Sequence, residues 1–309
     1  MRTGSPLAVF VSRRLQAAAL LLTLLTSAAV LLAKAPQALP NRANSVKFAA
    51  IGDNGTGGSE QTQVGAQMVK SRASFPFDFV IMLGDNMYGS TDFVKKFEQP
   101  YAALLTAGVK FQASLGNHDD PDAQIKYGNF NMNGQRYYSF VRGNVRFFAL
   151  DSTDMSDKQL AWIDASLGDA REAWKICFFH HPLYSNAARH GSQVDIRVRL
   201  EPLLVKHHVD VVFSGHDHVY ERLKPQKGIA YFVSGAGGQL RRGNIRPDDE
   251  TAAYFDQDRS FMLIEIAGSE LHFQSVSRTG SVVDSGVITR QPSPLAASPE
   301  APGAFGGVR

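Results

Sequence analysis

The sequence predicts an α/β protein built as a four-layer sandwich, with two mixed β-sheets packed face to face and helices outside. Three observations carry that prediction. From Val46 to Leu115 apolar strand-like runs alternate with helical stretches, the order expected of parallel βαβ units with right-handed crossovers. From Arg136 to Leu150, and again from Gly228 to Ile288, strands follow one another across short turns, which is antiparallel in character. Finally, five apolar runs stop at a residue able to hold a metal: Gly52-Asp53, Gly84-Asp85, Gly116-Asn117, His180-His181 and Gly215-His216-Asp217-His218.

In chain order, Val46 to Ile51 reads as a strand ending at Asp53, and the glycine-rich Gly55 to Gly58 leads to a helix capped by Ser59 with Val64, Met68 and Val69 on its apolar stripe. Phe77 to Leu83 is a second strand delivering Asp85 and, three residues later, Tyr88. A helical stretch from Asp92 through Leu105 precedes a strand, Val109 to Leu115, and then Asn117-His118-Asp119. Arg142-Gly143-Asn144 marks the turn of a hairpin between Arg136–Val141 and Val145–Leu150. A helix over Ser156 to Leu167 is followed by the strand Trp174 to Phe179, and a helix from Val194 to His207 by the strand Val209 to Ser214. Strands then cover Gly228–Ser234, Phe261–Ile266, Leu271–Ser277 and Ser281–Ile288. In open parallel sheets ligands bind beyond the carboxyl ends of the strands, where all these donor residues fall.

The ends of the chain differ from its middle. Residues 1 to 14 carry Arg2, Arg13 and Arg14 and no acid, and Leu15 to Ala33 is an uncharged apolar run. That layout predicts a signal peptide or an N-terminal membrane anchor over residues 1–40 with its linker, and so an exported protein, periplasmic or extracellular. Ser12-Arg13-Arg14-Leu15 also resembles a twin-arginine signal. Asn41 to Asn44 reads as a polar linker, residues 41–290 as the folded domain, and residues 291–309, rich in Pro, Ala, Ser and Gly, as a disordered tail.

Residues 1–34 hold four of the 32 Lys/Arg and none of the 29 Asp/Glu, so a chain lacking them stands at about −1 rather than +3. A general positive field for nucleic acid is therefore not expected. Membrane contact is expected only if the N-terminal segment stays attached, and the expected state is a monomer. The single cysteine, Cys177, lies inside an apolar strand, which excludes an intramolecular disulfide and reads as a small buried hydrophobe.

Imidazole together with amide and carboxylate oxygen suits a borderline divalent ion, while oxygen anions suit a hard, highly charged one. Gly52-Asp53-x-Gly55, Gly84-Asp85-x-x-Tyr88, Gly116-Asn117-His118-Asp119, His180 before x-Pro182, and Gly215-His216-x-His218 resemble the five blocks of the small, mammalian-like, single-domain purple acid phosphatases, within the calcineurin-like metallophosphoesterases. The resemblance runs in the same order from about Val46 to Gly238. It implies Asp53, Asp85, Tyr88 and His218 around Fe(III), and Asp85, Asn117, His180 and His216 around a divalent Fe, Zn or Mn. It implies an acid phosphatase that hydrolyses small phosphomonoesters by attack of a metal-bound hydroxide, with His118 and His190 at the phosphate. A phosphodiesterase or nucleotide pyrophosphatase on the same scaffold is the alternative enzyme, and a non-catalytic phosphate-binding protein with an idle metal site the alternative of another class.

The remaining polar residues have plainer expectations. His181 reads as a packed neighbour of His180, His207-His208 as a helix end, and His272 as surface strand. Tyr220-Glu221-Arg222 is either a hydrogen-bonding cluster behind the His pair or a surface ion pair. Asn54 stands where the family has an aromatic, which removes a pocket wall, and the short Asp151–Lys158 stretch predicts an open site.

Overall fold

The computed structural model describes Met1 and residues 36–290. The leader and tail expectations therefore lie outside the described residues, apart from the last part of the linker. Among the described residues no helix is long and apolar enough to cross a membrane.

The predicted βαβ run is present. β1 (Val46–Ile51), α1 (Ser59–Ser74), β2 (Phe79–Leu83), a π-helical turn (Val94–Glu98) with the short α2 (Ala102–Thr106), and β3 (Lys110–Ser114) place β1, β2 and β3 side by side and parallel. After α3 (Pro121–Gln124), β4 (Tyr138–Arg142) and β5 (Val145–Ala149) form the predicted antiparallel hairpin. α4 (Asp157–Asp169), β6 (Trp174–Phe178), α5 (Val194–Lys206) and β7 (Val211–Ser214) follow. The chain ends in β8 (Tyr220–Leu223), β9 (Ala230–Ser234), β10 (Thr251–Phe255), β11 (Ser260–Ala267), β12 (Glu270–Ser277) and β13 (Val282–Thr289).

Two mixed sheets result, in the orders β13-β12-β11-β1-β2-β3 and β10-β8-β9-β7-β6-β5-β4. Strand alternation sorts the side chains into layers. Phe147, Ile176, Phe178 and Phe213 join Phe48 and Phe79 between the sheets, where Phe48 meets Phe147 edge-on at 5.2 Å and Phe213 at 6.1 Å. Their sequence neighbours Phe148, Cys177 and Val212 point the other way, into a second apolar layer with Ile163 and Leu167 of α4 and Leu200 and Leu204 of α5. α1 packs beside β11 on the first sheet. The four-layer expectation is met, and Cys177 is the buried hydrophobe expected of it.

Several local expectations are corrected. Ser59 is not the cap of α1: Gly58 is, without a side-chain hydrogen bond, and the buried Gln61 instead accepts from the Gly57 N–H (2.7 Å) and donates to the Lys96 carbonyl (2.6 Å). The linker is bonded to the first sheet. Glu265, fully buried, accepts from the backbone N–H groups of Asn41 and Arg42 and from the Ser45 hydroxyl, so residues 37–45 strap the first sheet. His272 sits directly opposite Glu265 in the β11–β12 ladder, which is why it is buried rather than on the surface. β8 and β10 were not read as strands. On β8 successive side chains face opposite ways: Tyr220 and Arg222 grip Asp284 of β13, tying one sheet to the other, while Glu221 faces the loop after β6. Asn54 is fully enclosed and lines no accessible wall.

Candidate metal centre

The carboxyl ends of parallel strands from both sheets converge on one rim. β1 meets β9 across the sheets through Gly52 N–H to the Ser234 carbonyl (2.9 Å), and the Asp53 N–H donates to the Gly84 carbonyl at 3.0 Å. Such close approach explains the glycines of the motifs. A Cβ on Gly116 would lie 2.2 Å from Asp85 Oδ1, and one on Gly215 2.5 Å from Asp53 Oδ2. The turns are also strained in a telling way. Asp53, Asp85 and His216 all have positive φ, of 55°, 50° and 69°, a region that costs a non-glycine residue on the order of 1 kcal/mol and that clusters at functional sites.

All seven predicted ligands come together, in two groups. On one side the Tyr88 hydroxyl lies 2.9 Å from Asp53 Oδ1 and 3.1 Å from His218 Nε2, and that nitrogen is 3.4 Å from Asp53 Oδ1. On the other, His180 Nε2 lies 3.1 Å from Asn117 Oδ1, 3.1 Å from His216 Nδ1 and 3.4 Å from Asp85 Oδ1. Asp85 joins the groups, since ligand atoms of Asp53, Asp85 and His180 all lie within 4.8 Å of one another.

The chemistry of these donors fits cations. His180 Nδ1 donates to the Leu83 carbonyl at 2.9 Å, because a carbonyl can only accept, so its neutral ring turns the Nε2 lone pair inward. That is the tautomer and the outer hydrogen bond usual for metal-ligating histidine. Around Nε2 stand further acceptors with too few hydrogens to share, an arrangement a cation satisfies. Without one, protons must do so: burial disfavours charge on His180, but Asp53 and Asp85 outweigh it and push the imidazole up to about 9. Burial likewise opposes ionisation of Asp85, and His180 with the His118 N–H overrides it, holding the carboxyl well below its usual range. His216 is driven down to about 2 by burial and by His180, His181 and His190. Tyr88 is raised by burial and by the Asp53 and Asp85 carboxylates. A bound cation reverses the sign of that field and favours phenolate.

The outer residues fall around this centre. The His118 N–H donates to Asp85 Oδ1 (2.9 Å) and its ring lies 4.9 Å from that of Tyr88. His190 is exposed, yet its ring is 4.3 Å from His216. His181 does more than pack. Its Nδ1 meets the Ser152 hydroxyl at 2.9 Å, its ring lies 4.4 Å from His216, and it forms a second candidate cluster with His180 and His216.

Sequence reasoning passed over two carboxylates that set the loops, the half-buried Asp119 and the buried Asp217. Asp119 accepts from the N–H groups of Gly116, Asn86 and Met87 and from the Asn86 and Gln124 amides, pinning the Asn117 loop to the Asp85 loop. Asp217 accepts from the Ser185 hydroxyl (2.7 Å) and the Gly191 N–H (3.2 Å), holding the loop that carries His190. Both follow a named ligand or outer histidine in the motifs, and that position was the available signal.

Comparison with known proteins agrees with this geometry. The sequence profile of the calcineurin-like phosphoesterases matches residues 46–220. Purple acid phosphatase 17 of Arabidopsis thaliana is 26% identical over 289 residues, spanning 80% of this chain and 85% of that protein. Tartrate-resistant acid phosphatase type 5 of Rattus norvegicus is 25% identical over 304 residues, spanning 82% and 93%. Among solved structures, the purple acid phosphatase PPD1 from yellow lupin (Lupinus luteus) superposes with a TM-score of 0.65 at 21% identity, over 82% of this chain and 55% of that one. GAP50, the anchor in the inner membrane complex of Plasmodium, superposes with a TM-score of 0.72 at 19% identity, over 81% and 90%. The profile spans more than half of the chain, its five motif blocks meet at one metal-competent rim, and this protein therefore belongs to the calcineurin-like phosphoesterase family.

Proposed function

We propose that this chain is an exported acid phosphatase that hydrolyses small phosphomonoesters. Asp53, Asp85, Tyr88 and His218 would hold Fe(III), and Asp85, Asn117, His180 and His216 a divalent Fe, Zn or Mn. The observation that carries the reading is the Tyr88 hydroxyl set between Asp53 Oδ1 and His218 Nε2, a hard oxygen donor beside a carboxylate, with the imidazole-rich group next to it. When bound, the two ions supply Lewis-acid charge for the phosphoryl oxygens and a water acidic enough to attack.

The protein's own groups do the rest. Asp119 fixes the Asn117-His118 loop against Asp85, which sets the His118 side chain at the rim beside Tyr88. From there His118 protonates the departing alcohol or aryl oxide. His190, approaching from the opposite loop, has its pKa lowered by partial desolvation and by the Arg241 charge, and it can bond a phosphate oxygen. Export rests on the basic-then-apolar N-terminal segment.

Rates on p-nitrophenyl phosphate and bis-p-nitrophenyl phosphate at acid pH test the reading. Faster turnover of the monoester is expected. Faster turnover of the diester would favour the phosphodiesterase alternative, and no turnover of either by metal-replete protein the non-catalytic one.

A further inference from the structure

Two loops that border the metal centre are zipped together. The Ala188 N–H donates to the Asn244 carbonyl and the Arg246 N–H to the Asn186 carbonyl, each at 2.8 Å, with an antiparallel bridge between Ala187 and Ile245. Each loop is also tied to a proposed ligand. The Arg241 N–H donates to the His218 carbonyl (3.0 Å), the Gly238 and Gln239 N–H groups donate to the Asp53 carbonyl (3.2 and 3.0 Å), and the His190 ring lies tilted against that of His216 at 4.3 Å. Arg189, His190 and Arg241 thus belong to one rim.

Arg241 is half-buried, and its Nη1 is enclosed with no hydrogen-bond partner. Among the described residues no carboxylate lies within ion-pair distance of Arg241 or Arg189, whereas Arg136, Arg222 and Arg278 are each paired. A guanidinium cannot shed its proton, and Nε and Nη2 of Arg241, which are not enclosed and make no hydrogen bond among the described residues, remain available to an anion. The arrangement is that of a fork awaiting a planar or tetrahedral anion.

We propose that Arg241, with Arg189 beside it, forms a second anion subsite on the rim and selects phosphomonoesters whose leaving group carries a further phosphate or carboxylate. This rests on the phosphomonoesterase reading above. The reacting phosphate lies over the metal ligands, and the second anion lies on the His190 side.

The test uses metal-loaded protein and three matched substrates: glycerol phosphate, phosphoglycerate and glycerol bisphosphate. Wild type is expected to prefer both doubly anionic substrates by about tenfold in kcat/KM, chiefly through KM, as one charge-assisted hydrogen bond provides. Arg241→Gln should lower kcat/KM for the two doubly anionic substrates at least fivefold more than for glycerol phosphate, and Arg241→Lys should keep part of the preference. A preference for only one of the two would identify the anion as phosphate or carboxylate. No preference in wild type, or one that survives Arg241→Gln, overturns the subsite alone. No turnover of glycerol phosphate by wild type overturns the phosphomonoesterase reading and the subsite with it.

Discussion

Replacing Gly116 by alanine adds one methyl group at the most crowded turn of the centre. The new Cβ would lie 2.2 Å from both the backbone nitrogen and Oδ1 of Asp85, and 3.0 Å from its Cα. Ordinary contact between such atoms needs more than 3 Å, so Asp85 or the Asn117 loop must give way by about 1 Å. The backbone cannot absorb this easily, because Asp119 clamps the Gly116, Asn86 and Met87 N–H groups. Overpacking of this kind costs about 1–3 kcal/mol. A shift of about 1 Å in a catalytic group costs roughly a hundredfold in rate. Both rate and stability should therefore suffer, with kcat down roughly a hundredfold, about 2.7 kcal/mol, and a melting point lower by about 3–10 °C. Gly108→Ala is the comparison, since a Cβ there meets nothing within 4 Å although its φ of +78° adds local strain. Metal content, melting temperature and kcat on p-nitrophenyl phosphate give the answer. Gly116→Ala with full metal content and kcat within threefold of wild type, roughly 0.6 kcal/mol, would refute the reasoning.

Tyr88→Phe should leave the fold intact and abolish the visible charge-transfer band expected of Fe(III) tyrosinate, read by absorption spectroscopy; a band that persists in the variant contradicts the Tyr88 assignment. Metal-stripped protein should be pH-sensitive through His180, whose folded-state value of about 9 lies above the ordinary 6.5. That stabilisation is complete below 6.5 and is lost as pH rises through 9. The gap in melting temperature between metal-loaded and metal-stripped protein should therefore widen over that range, and a constant gap by calorimetry would count against it. Asp284→Ala should cost about 2 kcal/mol in urea unfolding, because Tyr220 and Arg222 lose their shared acceptor at 2.7 Å; an unchanged midpoint would mean the sheets do not depend on this tie.

The ligand positions were legible because the pattern repeats: an apolar strand, a glycine, then a donor. The structure supplies the cause, since strand ends from two sheets approach so closely at Gly116 and Gly215 that no side chain fits. The positive φ of Asp53, Asp85 and His216 was not legible, because that strain is imposed by the convergence and not by local sequence. His272 was misjudged for a related reason. A strand's polar face reads as solvent-facing unless something distant covers it, and here the strap of residues 37–45 does. β10 is a five-residue edge strand of alternating partial exposure whose Ala252-Ala253-Tyr254-Phe255 is too short and too rich in alanine to stand out as a strand. Arg241 lies beyond the motif blocks, and only its N–H bond to the His218 carbonyl and the pairing of residues 186–188 with 244–246 bring it to the rim that carries His190.

Anomalous diffraction from crystals of the metal-loaded protein tests the binuclear centre most directly. Two peaks about 3.5–4 Å apart are expected, one bordered by Asp53, Tyr88 and His218, the other by Asn117, His180 and His216, with Asp85 between them. A single peak, or one seated in the His180–His181–His216 cluster with nothing beside Tyr88, would contradict the account.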